Sequence, residues 1–210
     1  MQKKIICILV SMLLISTILP ITGTVIAGDE ENPEIEDEIE DDVVEYLDII
    51  SAWFYEKSDQ PDYLFIGLKV KEINDVPLKQ KMTVHWEYNG IECAVGVAIG
   101  YGEPWFSYSA GWGHGFWFQE HYQQIEGDCD EETGIITFEI PKDFIKNPQK
   151  GDVLTNTHAL TFQRFGFLGG LGFDRAMLSS IIFLISGQSF SDFGPNEGYG
   201  KDYIIQYWGK

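Results

Sequence analysis

The sequence predicts an all-β fold: an antiparallel β-sandwich, jelly-roll-like, with one or two short helices. Three observations carry this. Apolar residues alternate with others at the period of two that a strand imposes. The dipeptide Asn89-Gly90 stands between two such runs, where a tight hairpin turn needs residues that tolerate positive φ. Strand-like segments are short, recur at regular spacing and are parted by turns rich in the chain's 22 glycines, as in sandwiches and barrels.

The elements follow in order. Lys3 and Lys4 precede an uncharged apolar run from Ile5 to about Ile26, and Val25 and Ala27 are the small residues of a cleavage site. This is the layout of a secretory signal peptide over residues 1–27, with Gly28 as the first mature residue. The rival is an uncleaved anchor, because the run is long enough to span a bilayer. Pro20 and Gly23 favour cleavage. The product would be secreted or associated with the cell surface, with no membrane span left in the mature chain.

Next comes an acidic block. Twelve of the 33 Asp and Glu residues lie between Asp29 and Asp48. Like charges repel and stay solvated, so residues 28–42 are expected to form a disordered tether. The whole chain carries a net charge of −19, which argues against nucleic acid and anionic lipid as partners. Residues 43–210 suit one domain with a substantial core.

Within that domain "YLDIISAWFYE" reads as a strand. In "DYLFIGLKVKEI", Leu64, Ile66, Leu68 and Val70 form one face. In "MTVHWEY", Val84, Trp86 and Tyr88 oppose Thr83, His85 and Glu87. After Asn89-Gly90 the return strand sets Ile91, Cys93, Val95, Val97 and Ile99 against a nearly bare face of Ala94, Gly96, Ala98 and Gly100. Small residues there admit something bulky, either another element or a ligand. "PWFSYSAGWG" and "GFWFQEHYQQIEG" follow, then "IITFEI". "PKDFIKNP" is expected to make a single helical turn started by Pro141. "GDVLTNTHALTFQRFGF" resumes strand character, "FDRAMLSSIIFLIS" suits a short helix, and "KDYIIQYW" closes the chain as a strand.

Four stretches together resemble exported β-sandwich modules of the DOMON and family-nine carbohydrate-binding type: "LDIISAWFYEKSDQPDYLFIGLKVKEI", "VHWEYNGIECAVGV", "ITFEIPKDFIKNPQKGDVLTNTHA" and "SDFGPNEGYGKDYIIQYW". The likeness is closest to uncharacterised cell-surface modules, archaeal in type. It implies a sandwich and a general binding role. The haem ligands and sugar-holding tryptophans of those families do not map onto this chain residue by residue.

Candidate chemistry centres on the aromatic stretch from Gly100 to Gln124. Trp105, Trp112 and Trp117, with Gln119 and His121 at the edge, would suit a sugar ring: flat stacking, with polar groups beside it. The competing reading is a core filled with large side chains and covered by residues 165–186. Carbohydrate or another surface protein would be the partner.

His85, His114, His121 and His158 could assemble into a metal site only through the fold, with a carboxylate such as Glu120. Isolated histidines on half-buried strands are the plainer reading. Asp128, Asp130 and Glu132 alternate through "GDCDEETG" and offer oxygen ligands for Ca²⁺, although acid-rich hairpin tips are ordinary. No other cofactor is implied. Cys93 and Cys129 form one disulfide or remain two separate thiols. No nucleophile elbow or phosphate-cradling loop occurs. A hydrolytic carboxylate pair could come from distant strands, with Glu87, Glu103 and Glu120 as the suspects. The chain is therefore read as a non-catalytic module, with a purely structural surface module as the alternative.

Overall fold

A computed structural model describes residues 28–38, 43–73, 79–100, 102–111, 122–164 and 191–207, the side chains of Lys79 and Arg164 excepted. Twelve strands lie among the described residues: β1 (Ile35–Glu36), β2 (Ile49–Lys57), β3 (Gln60–Val70), β4 (Lys79–Tyr88), β5 (Ile91–Ile99), β6 (Trp105–Ala110), β7 (Gln123–Gln124), β8 (Glu126–Asp130), β9 (Ile135–Pro141), β10 (Val153–Arg164), β11 (Ser191–Gly194) and β12 (Tyr203–Ile204). They build two antiparallel sheets. One has five strands in the order β1-β2-β3-β9-β8. The other has seven, in the order β11-β10-β4-β5-β6-β7, with β12 on β10. This is a β-sandwich, as the alternation predicts.

The core lies between the inner faces. Leu64, Ile66, Leu68 and Val70 of β3 are fully buried, as are Val84 of β4, Val95 and Val97 of β5, and Ile136, Phe138 and Ile140 of β9. Aromatic edges bridge the layers: Phe54 of β2 meets Trp86 of β4 edge-on at 5.7 Å, and Phe106 of β6 meets Phe138 of β9 at 5.8 Å. Such pairs add about 1 kcal/mol each beyond the area they bury. Asn89 and Gly90 take φ of 52° and 72° in a two-residue turn that pairs Tyr88 with Ile91. Both angles lie in the left-handed region that this hairpin turn requires.

The chain switches sheets between β7 and β8 across one residue. Ile125 is buried, and its N–H reaches Phe106 O at 3.4 Å. A strand that bends from one sheet into the next makes a corner of the sandwich.

Two expectations need correction. The residues after Pro141 do not form a helix. Pro141 ends β9, and residues 142–146 make successive turns, with Lys146 and Asn147 at positive φ. No helix occurs among the described residues; the segment expected as a second short helix, 173–186, lies outside them. Nor is the acidic block simply a solvated tether. Ile35 is fully buried in the core, and Ile35–Glu36 pairs with Ala52 and Ser51 of β2. The Glu34 carboxylate is also buried and accepts the Phe54 N–H at 2.8 Å. Mean charge predicts solvation, but one apolar residue with a backbone partner on each side is enough to dock the segment.

Replacing Ile35 by Ala is therefore expected to cost about 2–4 kcal/mol, the range for truncating a buried isoleucine. A urea titration of the variant measures it; a tether would give no change.

Glu34 has a pH signature. Burial, the largest influence, lifts its carboxyl from 4.5 to about 7, against the Phe54 hydrogen bond and the attraction of Lys201. Between these values the folded chain holds a proton that the unfolded chain has lost. Stability then falls as pH rises through that window, by up to about 3 kcal/mol, and levels off above it. This applies to a chain in which Gly28 is amide-linked to preceding residues. Glu34→Gln should remove the slope and be the more stable form at about pH 8, compared with about pH 5, by denaturant melts.

Candidate functional site on the seven-stranded sheet

The outer face of the seven-stranded sheet follows from pairing register. Because side chains alternate, Thr83, His85 and Glu87 of β4 face away from the core that holds Val84 and Trp86. Their partners complete rows across four strands. Trp105, Ala98, Lys81 and Phe162 form the first row; Ser107, Gly96, Thr83 and Leu160 form the second. Ser109, Ala94, His85 and His158 form the third, and Glu92, Glu87 and Thr155 the fourth. The bare face of β5 thus becomes the floor of a trough. Serines of β6 line one side, and polar groups of β4 and β10 line the other.

The trough is closed in the middle and open at its ends. Thr83, Ala94, Gly96 and Ser107 are buried. At one end Trp105 is 41% exposed and meets Tyr122 edge-on at 5.8 Å. The Lys81 Nζ lies 4.8 Å from the Tyr122 ring centroid. At the other end the Glu92 side chain is 28% exposed.

That second end gathers nitrogen and oxygen ligands. The imidazoles of His85 and His158 stack at 4.7 Å, 14° from parallel. His85 Nδ1 stands 3.4 Å from Glu92 Oε1. Ligand atoms of His85, Glu92 and His158 all lie within 4.8 Å of one another. His85 Nε2 contacts the Thr83 hydroxyl at 3.0 Å, and that hydroxyl donates to Leu160 O at 3.1 Å. His158 Nδ1 is 3.0 Å from the Asn156 carbonyl. Asn156 in turn donates to Glu87 Oε2 at 2.9 Å. Burial lowers the His85 pKa, the largest influence, and nearby His158 and Lys81 push the same way; Glu92 opposes them. His85 is therefore a neutral imidazole at neutral pH.

Of the four histidines considered from sequence, the fold brings together His85 and His158. Among the described residues, the carboxylate beside them is Glu92. The two-residue hairpin could have revealed it. Pairing Tyr88 with Ile91 sets Glu87 opposite Glu92 and His85 opposite Ala94, so Glu92 falls diagonally beside His85. Trp112, Trp117, Gln119, His121, His114 and Glu120 lie outside the described residues, as does the expected cover, 165–186.

Asp128, Asp130 and Glu132 are exposed around the β8–β9 hairpin. Asp130 braces its own turn, where its Oδ1 accepts the N–H groups of Glu132 at 2.9 Å and Thr133 at 3.3 Å. These bonds hold its carboxyl below the usual range, the Thr133 side chain contributing most. Glu87 sits with the histidine cluster, and Glu103 is exposed.

The disulfide expectation is corrected. Cys93 and Cys129 are free thiols. Cys93 belongs to β5 and Cys129 to β8, which lie in different sheets. Cys93 Sγ accepts the Tyr108 hydroxyl at 3.5 Å and approaches Ile91 O at 3.7 Å. Burial pushes both thiols up, that of Cys129 to about 12 with Asp128 and Glu131 adding to the effect.

No protein-family model matches the chain, and neither does any curated protein or solved structure. Among the described residues no helix is long and apolar enough to cross a membrane.

The free thiols make a direct prediction. Unfolded without reductant, a chain starting at Gly28 should take up two alkyl groups, at Cys93 and Cys129. In the folded state both should react slowly, since the thiolate is the nucleophile and both pKa values are raised. Mass spectrometry of the two samples decides it, and an unreactive pair in the unfolded sample would restore the disulfide.

Proposed function

We propose that the chain is an exported, non-catalytic binding module that holds a polar ligand on the outer face of its seven-stranded sheet. One observation carries the reading: a row of small residues on β5 forms a trough, and Trp105 stands exposed at its open end. A half-exposed indole with one face toward water can stack on a flat apolar ring surface. Lys81, in the same row, offers a hydrogen-bonding group on that side of the face. Carbohydrate is the ligand class that this combination suits, in keeping with the family resemblance. The signal-peptide-like start and the net negative charge fit a role outside the cell, facing glycans or other surface proteins.

A structural surface module is the competing reading, and the burial of Ala94, Gly96 and Ser107 favours it. The two differ in what Trp105 does. If it binds, Trp105→Ala should abolish glycan capture and cost less than about 2 kcal/mol, because much of the ring is already in water; burial would raise that cost to about 3–5. A glycan array on the wild type and the variant, read beside their thermal melts, makes the test. A wild-type protein that captures no glycan leaves the structural reading.

A further inference from the structure

We propose that His85, Glu92 and His158 form a binding site for one divalent transition-metal ion of the zinc type. The site lies at the opposite end of the trough from Trp105 and is independent of the carbohydrate reading. Two imidazoles and one carboxylate are a donor set that Zn²⁺ takes readily, with a fourth position left for water or another group.

The surrounding hydrogen bonds orient the donors. A carbonyl oxygen can only accept, so the Thr83 hydroxyl gives its one proton to Leu160 O. Its oxygen must then accept from His85 Nε2–H. In the neutral ring this leaves the lone pair on Nδ1, the atom that faces Glu92. The Asn156 carbonyl likewise calls for a proton on His158 Nδ1, which leaves the lone pair on Nε2. Metal-bound histidines characteristically donate their other ring N–H to such a partner.

The spacing points the same way. His85 Nδ1 stands 3.4 Å from Glu92 Oε1, the separation expected of two neighbouring donors on one ion. Donors around a tetrahedral ion stand about 3.3 Å apart, so three donors within 4.8 Å need close by at most about 1.5 Å. His158 and Glu92 are half-buried and can do so by side-chain rotation; the stacked rings would splay as they turn toward the ion.

The test is a calorimetric titration of the full exported chain, without a polyhistidine tag, using zinc chloride, with cobalt(II) absorption in parallel. One equivalent should bind tightly. Glu92→Gln and His158→Ala should each weaken binding at least tenfold. Thr83→Val, which removes only the orienting hydroxyl, should weaken it about 10–100-fold. The cobalt complex should lack a thiolate charge-transfer band, because Cys93 faces the core and Cys129 lies in the other sheet. Thermal melts confirm that each variant is folded. Should His158→Ala fail that check, Glu92→Gln decides alone, being isosteric and part-exposed. Absence of a single tight equivalent, or tight binding that no variant weakens, overturns the site and assigns any bound metal to the acidic block.

Discussion

The buried carboxylate of Glu56 on β2 organises the lower half of the sandwich. It pairs with the ammonium of Lys142, and both side chains are almost wholly removed from water. Glu56 also accepts the Tyr203 hydroxyl at 3.1 Å and the N–H groups of Gln206 and Tyr207. Lys142 donates a second proton to Tyr207 O at 2.8 Å. Burying a lone charge is prohibitive, and removing one member of such a pair typically costs about 3–5 kcal/mol. The geometry that satisfies every oxygen is therefore strongly specified. It forces three distant stretches into one place: β2, the turn after β9, and the last described residues.

From that anchor a chain of contacts runs to the histidines. With residues 203–207 fixed, β12 pairs with the start of β10, and the backbone just before it lies against Thr157. Gly200 N–H donates to Thr157 O at 2.8 Å, and Thr157 Oγ1 donates to Lys201 O at 3.0 Å. Only glycine fits at position 200, where a Cβ would meet Glu34 O at 2.4 Å and Thr157 Oγ1 at 2.7 Å. Thr157 lies inside the bulge where β10 shifts register against β4, between Thr155 and His158, with Asn156 at φ 54°. A bulge re-aims the side chains that follow it. Here it sets His158 opposite His85 and turns the Asn156 carbonyl onto His158 Nδ1. The same C-terminal stretch holds the acidic segment, since Lys201 N–H donates to Glu34 O at 2.7 Å.

What the sequence made legible was local. Alternation in β3, β4 and β5, and the positive φ demanded by Asn89-Gly90, are written within a few residues of one another. They suffice for the core list, the hairpin and the sandwich class. What stayed hidden depends on partners far along the chain. Ile35 reads as one apolar residue among acids, and nothing nearby shows that Ala52 lies beside it. Cys93 and Cys129 carry no mark of the sheet each belongs to. Pro141 fits a helix start as well as it fits the end of a strand. His85 and His158 are 73 positions apart, and only the order β10-β4-β5 with a bulge in β10 brings them together. Glu92 was the exception: it was within reach of hairpin arithmetic.

The period of two that builds the core also builds the opposite face. Every residue of β4 that fills the interior is flanked by one that cannot: Val84 and Trp86 by Thr83, His85 and Glu87. Once hydrophobic burial fixes the register of β4 against β5 and β10, the polar rows are fixed as well, at no further cost in ordering the backbone. The inner face then tolerates little change, because it is close-packed. Where the outer face reaches water, as at Trp105 and Glu92, it can vary in chemistry while the fold stays the same. Glu92 shows the separation. Its neighbour Cys93 points into the core beside Tyr108, while Glu92 points out beside His85. Charge can therefore be altered at one position without opening a cavity at the next. A sandwich built this way is a frame whose surface chemistry is set by a few outward residues.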